Sequence, residues 1–430
     1  MPTNRRRFVQ QASGLAAGAL IMPWQNQRVL QQIQDHLRAL DHLSPQAFAQ
    51  REDFWVLIQR AYQQSPHFIN LENGYFSPQP VEVMEAQMDN IKMINEQPSF
   101  YMRRRQFTEK AGVKKLLAEQ AGCSVEELVI TRNTTESLDT IIAGIDYEAG
   151  DEAIMCDQDY GSMLEAFDQQ ARRRGLVNKI IELPLHPVSD AEIVERYERA
   201  ITDRTKVMLV THLINITGQV LPVRKICDMA HQHGVEVIID GAHSFAQLDF
   251  KIPDLGGDYF GASLHKWLCC PLGAGLLYVK RDKIKNVWPL FGDATYAEDD
   301  IRKFEHIGTH PVSTNLTIAS ALRFHQMIGN ARKEARLRYL KQYWTEQVKE
   351  VPGITLNTPW EDKRSSAIAN VAIDGYTPGE LAEKLYDDYR IFTVAINRKA
   401  VKGVRVTPHL YTPIRHLDQF VGALRTLAGV

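Results

Sequence analysis

Residues 261–280 read GASLHKWLCCPLGAGLLYVK and set one lysine, Lys266, between Ser263 and His265 on one side and an apolar, glycine-containing run on the other. A lysine in such company either lays its stem on apolar surface with the ammonium in water, or is held away from water. Only the second kind loses its proton readily enough to act as a nucleophile. Other residues able to do chemistry recur upstream, each just past a short apolar run. Arg132, Asn133, Thr134, Thr135 and Glu136 follow ELVIT, and Tyr160 follows EAIM by a few residues. Asn215 follows KVMLVTHL, and Asp240, Gly241, Ala242 and His243 end and follow VEVIID.

Each group has a plain reading. One threonine at a helix start is an ordinary N-cap, and a tyrosine past a strand is core packing. Paired threonines with the free N–H groups of a helix start can also hold a phosphate. An aromatic ring can cover a planar cofactor, and a carboxylate can pair with a protonated ring nitrogen. Lysine, carboxylate, phosphate cradle and aromatic, in this chain order, together fit pyridoxal 5′-phosphate (PLP). The lysine then forms a Schiff base with the aldehyde, and Asp240 keeps the pyridine nitrogen protonated so that the ring draws electrons.

These groups need a scaffold that brings distant segments to one place. Apolar runs at 127–131, 152–155, 206–213, 235–240 and 274–280 read as strands. Helical patterns at 135–143, 163–174 and 224–233 lie between them. The alternation predicts an α/β fold with a mostly parallel sheet, helices on both faces and a site at the carboxyl ends of the strands. Residues 27–62 read as amphipathic helix, with Leu30, Ile33, Leu37 and Leu40 at helical spacing, and the turn-rich NLENGYFSPQP at 70–80 breaks that pattern. From 318 to 351 a long charged helix is expected, leading into a smaller α/β region.

Bulk composition narrows the partners. The chain has 430 residues, 44% of them hydrophobic, and a formal net charge of −2, so no basic surplus points to nucleic acid or acidic lipid. Five cysteines, with Cys269 and Cys270 adjacent, do not make a disulfide framework. Cys227, His231 and His233 lack a second ligand pair at metal-site spacing. The run Arg103, Arg104, Arg105 reads as a solvated helix face or as one arginine reaching a second substrate carboxylate. The N-terminus, with Arg5 and Arg6 before a weakly apolar run at 12–22, resembles a twin-arginine export signal. That run is too short to span a bilayer as an ordinary helix, and no clear cleavage site follows it.

The motifs TRNTTESL, IIDGAHS, SLHKWL and KFEHIGTHP resemble those of class-V aminotransferase-family enzymes of PLP fold type I, the family of isopenicillin N epimerase-like proteins and cysteine desulfurases. The resemblance runs from about residue 70 to the C-terminus. It implies a large domain with a mostly parallel seven-stranded sheet plus a smaller C-terminal α/β domain. The expected division is an export segment at 1–24, an N-terminal helical segment and substrate-side loop at 25–84, the large domain at 85–320 and the small domain at 321–430. By resemblance, Lys266 is the Schiff-base lysine and proton shuttle, Asp240 binds the ring nitrogen, and His243 and Asn215 reach the phenolic oxygen. Tyr160 stacks on the ring, and Thr134, Thr135, Ser263 and His265 hold the phosphate. Thr309 matches a threonine lent to the neighbouring subunit's phosphate, which implies a homodimer with shared sites. Arg405, in GVRVTPHLYTPIRHLDQFVGAL, matches the arginine that grips the substrate α-carboxylate, and Asn73 borders the same pocket.

The resemblance leaves the reaction open. The persulfide route of desulfurases needs a nucleophilic cysteine well downstream of the lysine, and no cysteine occurs after Cys270. The leading expectation is an isopenicillin N epimerase-like enzyme acting on the α-amino group of an amino acid or peptide-like substrate in the periplasm, delivered by the twin-arginine machinery. The alternatives are an extracytoplasmic transaminase or tailoring enzyme for a peptide metabolite such as a siderophore, a C–S or β-lyase, and a non-catalytic PLP-binding regulator.

Overall fold

The computed structural model describes residues 24–430, and the export signal expected at the N-terminus falls almost wholly outside them. A two-residue strand, β1 (Ile69–Asn70), precedes the main sheet. That sheet has seven strands: β2 (Leu128–Thr131), β3 (Glu152–Cys156), β4 (Val177–Ile181), β5 (Thr205–Thr211), β6 (Glu236–Asp240), β7 (Tyr259–Ser263) and β8 (Gly275–Val279). Their spatial order is β2-β8-β7-β6-β5-β3-β4. Pairing is parallel from β7 to β4, and β8 runs antiparallel to both of its neighbours.

The strands are apolar almost throughout because both faces are covered. Successive side chains point to opposite faces. Val207 and Leu209 of β5 join a core with Leu138, Ile141, Met163 and Phe167, from the helices Thr134–Gly144 and Gly161–Arg174. Met208 and Val210 join the opposite core with Ile226 and Ala230 of the helix Val223–Gln232. That second core extends to Ile33, Phe54 and Trp55 of the N-terminal helices and to Leu117 of the helix Gln106–Ala121.

A smaller lobe follows. β9 (Ile354–Leu356) and β10 (Ala369–Ile373) precede the short strand β11 (Ile391–Phe392), and β12 (Val394–Asn397) and β13 (Lys402–Val406) complete the set. Four of these form an antiparallel sheet in the order β12-β13-β10-β9, with a core around Trp344, Val371, Val404 and Phe420. β11 instead pairs in parallel with β1, so the 70–80 segment begins as part of the small lobe's edge.

The expected helical patterns and five of the strands are present within a few residues of their predicted ends. β4 and β7 are additional. The single long helix expected at 318–351 is two helices, Val312–Ile328 and Asn330–Val348, broken at Gly329, whose φ of +91° ends the first. The boundary expected at 320 therefore falls inside a helix. Residues 27–62 likewise form three helices, Trp24–Ala39, Pro45–Ala49 and Glu52–Arg60.

One tight connection sets the position of Asn215. After β5 the chain reverses through a turn closed by Gly218 N–H to Ile214 O at 2.8 Å and Ile214 N–H to Gln219 O at 2.9 Å. Gly218 has φ +75°, and a Cβ there would lie 1.9 Å from the Ile368 carbonyl oxygen. Gly218→Ala combines backbone strain with a clash that no side-chain rotation relieves. Gly273→Ala, at φ +83° with open space around it, carries the strain alone. Thermal denaturation is expected to show Gly218→Ala as the more destabilised by at least about 1 kcal/mol, and equal midpoints would contradict this account of the turn.

Candidate active site

The carboxyl ends of β2, β3, β5, β6 and β7 open onto one cavity of about 200 Å³. Thr134, Thr135, Tyr160, Asn215, Asp240, His243, Ser263, His265 and Lys266 all line it. Nine positions spread over more than a hundred residues of chain thus meet because each follows or ends a strand of one sheet.

At one side the helix Thr134–Gly144 starts against β7. Its N-cap is Asn133, whose Oδ1 accepts the Glu136 N–H at 2.9 Å. Capping therefore does not occupy the threonines. The Thr134 hydroxyl lies 2.7 Å from Ser263 Oγ, which also accepts the Thr134 N–H at 2.9 Å. His265 borders the same space, and its buried Nδ1 has no hydrogen-bond partner among the described residues. Burial and the nearby Lys266 push its imidazole down to about 4, so the ring is neutral near pH 7.

Lys266 Nζ sits 3.1 Å from His243 Nε2. The Trp267 indole N–H donates to His243 Nδ1 at 3.4 Å. With Nδ1 accepting, the neutral imidazole carries its proton on Nε2, facing the lysine. Burial, with Lys266 and Arg405 nearby, holds His243 well below the usual histidine range. Its Nε2–H can meet the lone pair of the amine once the lysine has lost its proton. The Lys266 pKa is pushed down to about 8, chiefly by desolvation, with Arg405 also lowering it against the opposing pull of Asp240 and Glu72.

Asp240 is 3% exposed, and its Oδ1 accepts the Ala242 N–H at 2.9 Å. Desolvation raises its pKa. Among the described residues it has no ion-pair partner, so a cationic ring nitrogen brought into the cavity would meet a carboxylate with room to accept. Behind it, Asp159 accepts from Thr211 Oγ1 at 2.6 Å and from the Cys156 N–H at 2.7 Å, and burial moves its pKa up to about 7.

Other expected residues lie elsewhere. Asn73 is fully buried but does not line the cavity. Its Nδ2 donates to Thr407 O at 2.7 Å and its Oδ1 accepts from Tyr411 Oη at 2.6 Å, so it pins the 70–80 segment to the small lobe. Arg405 is also fully buried and set behind the cavity wall. Its Nε and Nη2 donate to the two carboxylate oxygens of Glu72 at 3.0 and 2.7 Å. Thr309 is exposed and does not line its own chain's cavity. Arg103 and Arg104 are exposed, while Arg105 pairs with Glu109 at 2.6 Å, and none of the three lines the cavity. His231 pairs with Asp258 at 2.9 Å, His233 with Glu198 at 3.6 Å, and Cys227 lies in the core.

The sequence reading missed one wall. Tyr75 and Phe76 close the cavity from the N-terminal side, with the Phe76 ring stacked on His265 at 5.8 Å and the Ser77 N–H bound to His265 O at 3.2 Å. Aromatics in a turn-rich loop carry no periodic signal. The hydrogen-bonding potential of Asn73 in the same loop was visible, but its direction was not.

The residues present fit PLP. An unpartnered buried imidazole nitrogen, paired hydroxyls at a helix start, a carboxylate without an ion-pair partner and an amine with a depressed pKa face one space.

Residues 69–395 match the aminotransferase class-V family. Among curated proteins, the chain is 26% identical to the isopenicillin N epimerase of Amycolatopsis lactamdurans, over 87% of this chain and 98% of that one. It is 24% identical to the isopenicillin N epimerase of Streptomyces clavuligerus, over 85% and 96% of the two chains. It is 29% identical to the cysteine desulfurase of Haloferax volcanii, over 70% and 74%. Two solved structures share the fold. The apo cysteine desulfurase of Thermococcus onnurineus aligns with a TM-score of 0.75 at 21% identity, over 88% of this chain and 98% of that one. A C-DES mutant with glycine covalently linked to its PLP cofactor aligns at 0.78 and 20% identity, over 85% and 98%. With its site built for that cofactor and its sequence matched over most of its length, the chain belongs to the class-V aminotransferase family and is a PLP-dependent enzyme.

Proposed function

We propose that this enzyme acts, in the manner of an isopenicillin N epimerase, at the carbon that bears the amino group of an amino-acid or peptide-like substrate. The observation that carries this reading is the Lys266 amine against His243 Nε2, in the cavity that also holds Asp240. When bound, PLP supplies an electron-withdrawing ring that makes the hydrogen on the amine-bearing carbon acidic. The chain's own residues would divide the remaining work. Thr134, Thr135, Ser263 and His265 hold the phosphate. Asp240 would hold the proton on the ring nitrogen, Asn215 and His243 would serve the phenolic oxygen, and Tyr160 would cover the ring. Lys266 would anchor the cofactor and, as a free amine, would move the proton at the amine-bearing carbon.

A C–S or β-lyase is the second reading. Cysteine desulfurases are among the relatives, yet every cysteine after residue 123 is buried, and burial pushes the Cys123 and Cys227 thiols up to about 12. A lyase that needs no nucleophilic cysteine is compatible with this. We further propose a homodimer in which Thr309 completes the neighbour's phosphate site, and export through the Arg5–Arg6 signal to the periplasm.

The lysine assignment predicts a pH profile. A free amine is required for cofactor capture, and the neutral fraction grows as pH rises through the lowered pKa. Capture of PLP by cofactor-free protein, followed by visible absorbance, should accelerate up to about pH 8 and then level off. Borohydride reduction should leave the cofactor on the Lys266 peptide by mass spectrometry, and no label should remain on Lys266→Ala. A label at another lysine would remove the assignment. Thr309→Ala should weaken cofactor retention, and unaltered retention would remove it from the shared site. An Arg5→Lys/Arg6→Lys double variant should stay out of the periplasmic fraction.

The reaction itself is tested with holoenzyme in deuterium oxide and a panel of amino acids and short peptides. Deuterium at the amine-bearing carbon with inversion and no keto acid supports epimerisation. A stoichiometric keto acid would replace that reading with transamination, and release of sulfide or ammonia with pyruvate would replace it with the lyase.

A further inference from the structure

One residue along the chain from Lys266, the backbone is held by a second buried lysine. The Lys333 amine donates to the carbonyl oxygen of Trp267 and lies 3.5 Å from His325 Nδ1. His325 Nε2 is 2.6 Å from Asn330 Oδ1. With its proton on Nε2, toward that amide oxygen, the neutral ring presents Nδ1 to the lysine as an acceptor. Lys333 is 3% exposed, and no carboxylate pairs with it among the described residues. The other titratable groups that face it, Cys269, Cys270 and His409, bring no negative charge, because burial raises both thiols and lowers the imidazole.

A cation in this place is unfavourable on two counts. It is desolvated without a counter-ion, and it sits four residues into the helix Asn330–Val348, at the end whose dipole repels positive charge. A methionine would fill the same space without either cost. What the amine adds is a donor aimed at one carbonyl, and that carbonyl belongs to a strained turn. Lys266 O accepts the Cys269 N–H at 3.2 Å, and Cys269 takes φ +58°, a left-handed conformation that is uncommon outside glycine and asparagine. The His409 ring stacks on the Trp267 ring with centroids 5.4 Å apart, and its Nε2 lies 3.5 Å from Cys269 Sγ. A short chain of contacts joins this turn to the chemistry. Lys333 binds the Trp267 carbonyl, the Trp267 indole binds His243 Nδ1 at 3.4 Å, and His243 Nε2 lies 3.1 Å from the Lys266 amine.

We propose that Lys333 is a positioning residue for the Schiff-base lysine: its amine pins the Trp267 carbonyl, and through that residue it keeps the indole on His243 and His243 against Lys266. Lys333 does not line the cavity, so it acts without touching cofactor or substrate. The proposal rests on the PLP reading above and adds to it a support that lies outside the cavity. No bond is made or broken in it.

The test isolates the full chain with its cofactor, strips the PLP and follows recapture by visible absorbance across pH. Lys333→Met removes the amine and keeps the stem. Trp267→Phe keeps an aromatic ring and removes the N–H bound to His243. A loosened turn admits water to Lys266, whose amine then recovers part of the ordinary lysine range. Each variant should move the midpoint of the capture profile up by at least about 0.5 in pH. Because both act along one chain of contacts, the double variant should match Trp267→Phe rather than sum the two. A wild-type midpoint in Lys333→Met would overturn the proposal even if the melting temperature falls, since a support of the fold alone does not alter the titration of Lys266. Additive shifts in the double variant would overturn it as well, because Lys333 would then act by a route other than Trp267. If Lys333→Met does not fold, Lys333→Gln, with an amide on a shorter stem, is read in the same way. If neither folds, the lysine holds the fold itself and the proposal fails. A wild-type protein with no cofactor band at all would instead sink the PLP reading, a result distinct from all of these.

Discussion

An ammonium ion keeps its hydration shell only where water can surround it, and Lys266, half-buried as a residue, has its amine drawn in against His243. That desolvation is the constraint to which the neighbouring groups answer. His243 faces the amine as a neutral ring, and the indole of Trp267, the residue after the lysine, binds its other nitrogen. Asp240 is near enough to stabilise the charged lysine, and Arg405 near enough to oppose it. The amine is thereby set between a surface lysine and a wholly neutral one, within reach of its neutral form near physiological pH.

Parallel pairing is what brings these groups together. Five strand ends point into one space because β2, β3, β5, β6 and β7 run the same way, with β8 inserted against the grain between β2 and β7. β8 brings no residue to the cavity, and its alternating side chains instead close both cores, Leu277 and Val279 on one face and Leu276 and Tyr278 on the other. Four of this chain's five cysteines, Cys156, Cys227, Cys269 and Cys270, are buried in the core on one face of the sheet.

Much of the site was legible because its residues directly end or follow apolar runs, where local pattern and location in the fold coincide. What was not legible had a physical reason in each case. β7 is fully buried, but after Tyr259 and Phe260 it continues as Gly261, Ala262 and Ser263, and a Cβ at Gly261 would meet Leu138 at 2.6 Å; close packing there cut short the apolar run that marks a strand. β4 is the edge strand, with Val177 and Ile180 exposed, so it lacks an apolar run bounded by turns. The break at Gly329 hid inside a helical pattern because the residues on both sides favour helix. Arg405 and Asn73 were found as residues, but their partners, Glu72, Thr407 and Tyr411, lie at long sequence range, which no local pattern encodes.

The β1–β11 pairing has a mechanical consequence. The segment that carries Glu72, Tyr75 and Phe76 is stitched at its start to the small lobe through Ile69–Ile391 and Asn70–Phe392, and at its end to the large one through the Ser77 N–H on His265 O and the Val81 N–H on Ala61 O. It is a strap fastened at both ends to different bodies. Strain entering at the small lobe's edge is transmitted along the strap to the cavity wall. Substitutions around Phe392, far along the chain and outside the pocket, are therefore levers on the pocket's mouth, and selection could retune the enzyme's substrate range there without altering any group that meets the cofactor.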